Sequence, residues 1–152
     1  MKRLFLSLTV FITLFSACND EQPNNTDVVE GYVIGTFVGY LINEETGQAD
    51  GYTDRGYCIR IENGDTNQKM DFYTFDLPQN LFDFPPVTKS ESDEGNCGPI
   101  FSENDKAYKI KFNYQLLEEK NRLKFFTGPC TAMEMAFLWK TYHEARLTNV
   151  EK

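Results

Sequence analysis

The clearest pattern in the chain is the alternation of Tyr108, Ile110, Phe112, Tyr114 and Leu116 with Lys109, Lys111, Asn113 and Gln115. Successive side chains of a strand point to opposite faces, so this segment predicts a strand with one face in a core and one in water. Tyr57 to Asn63 reads the same way, with Tyr57, Ile59 and Ile61 set against Cys58, Arg60 and Glu62. Val28 to Ile42 is dense in β-branched and aromatic residues and is interrupted by Gly31, Gly35 and Gly39. Glycine at every fourth position would suit helix packing in lipid. The run is too short to span a bilayer, however, and Val, Ile, Thr and Tyr favour strand. It predicts one long strand with all three glycines on one face, where missing side chains let a strand bend sharply, as barrel closure needs.

Breakers and turn residues divide the remainder. Gly47 to Gly56 is a polar loop and Asn63-Gly64-Asp65 a turn. Met70 to Leu77 is the next strand, and Pro78 can open a single helical turn through Leu81 and Phe82 before Pro85-Pro86 stops it. Val87 to Lys106 carries many charges, two glycines and a proline, and reads as a long excursion outside the core. Glu118 to Arg122 is a turn from which Leu123 to Thr127 returns as a partner strand. Thr131 to Tyr142 is ambiguous, because Met133, Phe137, Leu138 and Tyr142 fit a helical face moderately well. Glu144 to Val150 reads as a closing strand with Ala145 and Leu147 on one side. Together these segments predict an all-β domain over residues 28–152: a small, partly open, OB-like barrel of five or six strands, with room for one short helix.

The N-terminus carries an address. Met1-Lys2-Arg3 is followed by an apolar stretch from Leu4 to Phe15, the small pair Ser16-Ala17, and Cys18. Residues 1–17 read as an export signal. The cysteine at its boundary resembles the lipobox of bacterial lipoproteins, with Phe15 where Leu is usual. The resemblance implies acylation of Cys18 and stable attachment to a membrane through several acyl chains. Residues 18–27 read as a flexible tether, and the acidic run opened by Asn19-Asp20-Glu21 looks like the export signal of surface-exposed lipoproteins in Bacteroidota. The expected location is therefore the outer membrane, lipid-anchored, at the cell surface or otherwise on the periplasmic face.

Several short motifs downstream carry a second resemblance. Cys58, Leu77-Pro78, Phe82, the run Tyr108-Lys109-Ile110-Lys111-Phe112, and Cys130 resemble small Bacteroidota lipoproteins of uncharacterised function with OB-like barrels. Those proteins pair an early Cys-containing strand, a Leu-Pro segment and a Val/Ile-Lys-Phe strand with a late cysteine. The insertion around Cys97 departs from the pattern. The family implies a fold and no established activity.

Charge and composition narrow the function classes. The 152 residues carry a formal net charge of −8, and removal of Lys2 and Arg3 with the signal makes it more negative. Phosphate-backbone binding relies on clustered Lys and Arg, so nucleic acid is not an expected partner. Hydrophobic residues at 41% with aromatics at 14% argue for a packed domain rather than disorder.

With Cys18 lipidated, three cysteines remain. Cys58 and Cys130 are the expected disulfide, one in a strand and the other just after one. Cys97–Cys130 is the alternative, since both lie in Gly- and Pro-containing turns. A bridge closing so long a loop contributes about 2–4 kcal/mol.

No set of residues converges on catalysis. A free Cys97 would need a base, and the one histidine, His143, is not placed near it by anything in the sequence. No nucleophile-elbow serine or zinc spacing occurs. Glu44, Glu45, Asp50, Asp54, Asp65, Asp71, Glu91, Asp93 and Glu94 read as solvated loop acids rather than a glycosidase pair. Asn63-x-Asp65-x-Asn67 opens like a calcium loop but lacks the following glycine and the closing Glu. Tyr32, Tyr40 and Tyr57, with Tyr52, form the candidate ligand surface, since such a row stacks sugars or apolar ligands as barrel faces often do. The expected function is a non-catalytic module without cofactor or metal that meets a protein partner at the envelope. The alternative is a barrel that binds a glycan or small ligand.

Overall fold

A computed structural model describes residues 24–64, 67–85, 96–128 and 135–152 of the chain. Among them are eleven strands: β1 (Asn24–Phe37), β2 (Tyr40–Ile42), β3 (Ala49–Tyr52), β4 (Gly56–Ile61), β5 (Phe72–Thr74), β6 (Asn96–Cys97), β7 (Ile100–Phe101), β8 (Lys109–Leu116), β9 (Phe125–Phe126), β10 (Met135–Ala136) and β11 (His143–Glu151). Two 3-10 turns, Glu119–Asn121 and Trp139–Thr141, and a single turn closed by Leu81 N–H donating to Pro78 O at 3.1 Å are the helical content described.

The strongest alternations in the sequence become the barrel. β8 buries Ile110 and Phe112 and exposes Lys109 and Lys111. It pairs antiparallel with β1 on one edge and β11 on the other. β11 runs parallel to β5, β5 is antiparallel to β4, and β4 returns to β1, so the sheet closes as β1-β4-β5-β11-β8-β1. This is the Greek-key order of an OB-type barrel. The barrel is closed, where the sequence predicts one partly open. β7 pairs with β1 at Gly35 and Thr36 as a sixth strand, so the excursion after Pro85 returns to the sheet.

Two predicted strands take other courses. The long strand expected through Ile42 stops at Phe37, and after Val38-Gly39 the chain joins a separate three-stranded sheet ordered β3-β2-β9. Gly39 is the crossing point. Its N–H donates to Thr53 Oγ1 at 2.9 Å, its carbonyl accepts from Thr53 N–H at 2.9 Å, and a Cβ there would lie 2.5 Å from the Phe125 ring. The three glycines do not share one face either, because the β1–β4 register slips between Val33 and Gly35. A Cβ on Gly31 would meet the Arg60 carbonyl at 2.6 Å, and one on Gly35 the Ile100 carbonyl at 2.9 Å. Leu123 to Thr127 does not return beside β8. Both edges of β8 are already taken, so β9 pairs with β2 instead. At the other end, β1 starts at Asn24, within the segment expected to be tether.

The packing has two layers. Inside the barrel, Val33, Tyr57, Ile59, Phe72, Ile110, Phe112, Ala145 and Leu147 form one core. Outside it, Tyr32, Ile34, Phe37, Cys58, Met70 and Tyr73 form a second, covered by Phe75, Phe125, Phe137 and Trp139. β4 and β5 are therefore buried on both faces.

Candidate interaction surface

In an OB-type barrel the second and third strands, with the loops joining strands one to two and four to five, carry the ligand. Here those strands are β4 and β5, and the loops are residues 38–55 and 117–142. The two loops pair with each other instead of framing an open face. β2 bonds to β9 through Tyr40↔Phe126 and Leu41↔Phe125, making a lid across the barrel wall. Beneath it Phe125 stacks on Phe37 at 5.4 Å and meets Trp139 at 5.0 Å, while Trp139 reaches Phe37 at 4.3 Å and Tyr73 edge-on at 5.4 Å. Trp139 Nε1–H donates to Thr127 Oγ1 at 2.9 Å, which satisfies the one polar group of the indole. The chain's own aromatic residues fill the usual ligand face. Cys58 and Tyr73 beneath them are 0% and 4% exposed.

Side chains alternate along β9, so the neighbour of the inward Phe125 points out. On the outer side of the lid, Phe126 faces Tyr40 at 5.2 Å with planes 15° apart, and Tyr40 meets Tyr52 at 4.9 Å. Two coplanar rings lying side by side would collide at such separations, so Tyr40 and Phe126 overlap face to face in an offset stack. The row ends in Tyr52 and Phe126, which remain 46% and 41% exposed. The turn joining β2 to β3 is held by Asn43, whose Oδ1 accepts from Glu45 N–H at 3.0 Å and Thr46 N–H at 3.1 Å. Gly47, at φ 68, completes that turn.

One ion pair crosses the lid, from Lys124 to Glu44 at 3.1 Å. The joint between lid and barrel is Glu144, which is 8% exposed. Its Oε2 accepts from Leu123 N–H at 2.7 Å and its carbonyl from Leu117 N–H at 2.8 Å. Burial raises its carboxyl above the ordinary range, opposed by the Leu123 hydrogen bond. Burial, with the Glu144 charge adding to it, pushes the Tyr73 phenol up to about 12. His143, exposed beside it, meets Arg122 through Nδ1; its own partial burial and that guanidinium hold its pKa below the usual histidine value.

The tyrosines expected to share one ligand face are separated. Tyr57 points into the barrel core and contacts Phe84 at 5.3 Å, because odd positions of β4 face inward. Tyr32 lies in the outer core with its hydroxyl donating to Glu62 Oε1 at 2.7 Å. Only Tyr40 reaches the outer surface of the lid, with Tyr52. Nothing in the sequence marks Phe126, because its pattern points the strand toward β8 and not toward β2. The expected disulfide is also not seen: Cys58 is a free thiol, buried among Tyr32, Ile34, Phe37, Met70 and Tyr73, and burial raises its pKa. Cys18, the signal and Cys130 lie outside the described residues, as do Asp65, Glu91, Asp93 and Glu94. Cys97 contributes backbone to β6. Asp71 has a structural role, its Oδ2 accepting from Ile61 N–H at 2.7 Å.

Comparison of the chain with protein-family models, with curated proteins and with solved structures finds no match in any of the three. The OB-like assignment rests on strand order alone.

A small apolar cleft lies beside β1 and β7, between Val33, Thr36, Phe84, Ile100, Phe101 and Tyr108. It carries only hydroxyls as polar groups and no ionisable pair, so it offers little chemistry beyond apolar contact.

Proposed function

We propose that this chain is a non-catalytic module, lipid-anchored at the outer membrane, that binds a protein partner through the outer side of its lid. One observation supports this reading above the others: the barrel wall on which OB-type folds usually take ligands is sealed by the protein's own Phe125 and Trp139, and an exposed aromatic row stands outside the seal. Apolar rings rimmed by polar groups are the usual make-up of a protein-binding patch.

The experiment is cross-linked co-purification of the C-terminally tagged chain from native outer membranes in mild detergent. The expected result is a stoichiometric protein partner. Recovery of the chain alone overturns the reading.

A second reading, a glycan or small-ligand module, draws on the exposure of Tyr52 and Phe126 at the two ends of the row. Exposed aromatic rings are common contacts for sugars and apolar ligands. An unchanged melting temperature across a panel of glycans and small metabolites would remove it.

A further inference from the structure

The charges around the row say more about what fits it. Glu45 lies in the turn between β2 and β3, Asp50 on β3 itself, and Asp54 just beyond it, all three exposed. Among the described residues none of these carboxylates has an ion pair, whereas the lid's Lys124 is already held by Glu44. The contrast with the barrel wall is direct. There Glu30 is matched by Lys109 at 2.6 Å and Lys111 at 3.0 Å, Glu62 by Lys109 at 3.0 Å, and Asp105 by Arg60 at 2.7 Å. Glu30, Glu62 and Asp105 are thus neutralised locally, whereas Glu45, Asp50 and Asp54 are left uncompensated on the surface that also exposes Tyr52 and Phe126. Arg55 is the one cation of the 38–55 loop, half-buried and next to Asp54 in the chain.

We infer that the lid docks against a protein whose surface offers an apolar slot rimmed by Lys or Arg, with Tyr52 and Phe126 entering the slot and Glu45, Asp50 and Asp54 facing the rim. This rests on the protein-binding reading above and commits it to one surface and one partner chemistry. Complementary charge raises the rate of encounter and excludes acidic competitors, while the aromatic anchors set how long the complex lasts. A second copy of this chain is a poor occupant, because two acidic lids would repel each other. β-strand addition along β3 is disfavoured as well. The strand is four residues long, carries Gly51 at φ 85, and slips register against β2.

The test places a photo-reactive residue at Glu45, on the lid, or at Arg146, exposed on β11, in the full-length chain in its native envelope. The proposal expects an adduct with a different protein from position 45 only, through a peptide containing Lys or Arg. Its yield should fall about fivefold on raising the salt from about 50 to about 300 mM, and similarly in the double variant Asp50→Lys, Asp54→Lys. Both substituted positions are exposed, so the melting temperature should hold, and Tyr52→Ser should lower the yield without removing the salt dependence. Equal adducts from both positions, or an adduct indifferent to the lysine variant, overturn this surface and leave the protein-binding reading standing. An adduct to a second copy of this chain or to a glycan overturns the partner chemistry. A co-purifying partner that gives no adduct at position 45 overturns the lid as its site. No adduct and no co-purifying partner overturn both readings.

Discussion

The two cores of this protein are built differently. Inside the barrel, aliphatic and aromatic side chains come from long paired strands, each position set by simple alternation: Val33, Ile59, Phe72, Ile110, Phe112, Ala145 and Leu147. Between barrel and lid, the outward faces of β1, β4 and β5 supply Tyr32, Ile34, Cys58 and Tyr73, while the rings that cover them, Phe75, Phe125, Phe137 and Trp139, come from turns and a two-residue strand. The rings meet mostly edge-on or tilted, with Phe125 touching four others. Closure of the sheet holds the first core through continuous hydrogen bonding. Ring contacts and a few loop hydrogen bonds hold the second. This difference predicts that loss of the barrel unfolds the domain, whereas loosening of the lid leaves the barrel standing.

The largest effect should come from Phe112→Ala, which empties a fully buried interior position. A loss of about 3–5 kcal/mol in urea unfolding is expected, with the whole domain unfolding in one transition. Phe125→Ala should cost less, about 2 kcal/mol, since the ring is half-buried. Its discriminating readout is amide hydrogen exchange: protection should fall in β2 and β9 and stay unchanged in β8. Uniform loss of protection would show that the two cores are one cooperative unit.

Glu144→Ala attacks the joint. It leaves Leu123 N–H without its carboxylate acceptor and should cost about 1–2 kcal/mol by thermal unfolding, whereas Glu144→Gln keeps an acceptor oxygen and should cost less.

The smallest effects separate the regions by pH. Hydrogen bonds from Lys109 and Lys111 hold the Glu30 carboxyl down at about 2, against an ordinary 4.5. A lowered value means that its contribution is present above 4.5 and is lost as the pH falls toward 2. Glu144 runs the other way. Its raised value means that its contribution is complete below the unfolded carboxyl range and is lost as the pH rises through the folded value. Melting curves between about pH 2 and pH 8 should thus fall less steeply on the acid side in Glu30→Gln than in the native chain, whereas Glu144→Gln should gain relative stability as the pH rises. Identical profiles for the native chain and both variants would contradict this assignment.

Legibility in the sequence follows the same division. β4, β8 and β11 were readable because each side chain's face is fixed by its neighbours two residues away. Ile59, Ile110, Phe112, Ala145 and Leu147 all fall where alternation places them. β5 was readable as a strand but overextended, since Thr74 Oγ1 accepts from Asp76 N–H and turns the chain before Leu77. The lid was not readable. β2 looked like the end of β1 because the sequence between them is uniformly strand-like, and nothing local marks Gly39 as the point where the chain changes sheets. β9 looked like the return arm of a hairpin because only the assembled barrel reveals that β8 has no free edge. The tyrosine face failed for a related reason: Tyr32 and Tyr40 share parity only if the strand is continuous and free of slips, and it is neither.

By itself the sequence determined an acidic all-β domain with a small OB-like barrel, because alternation and turn chemistry act over a few residues and need no knowledge of partners. Tertiary structure decided which strands have free edges and which loops pair. Through those it also decided that the usual ligand face is sealed and that Tyr40, Tyr52 and Phe126 meet outside it. These are contacts between residues as far apart as Tyr40 and Phe126. They depend on closure of the barrel, which no window of the sequence contains.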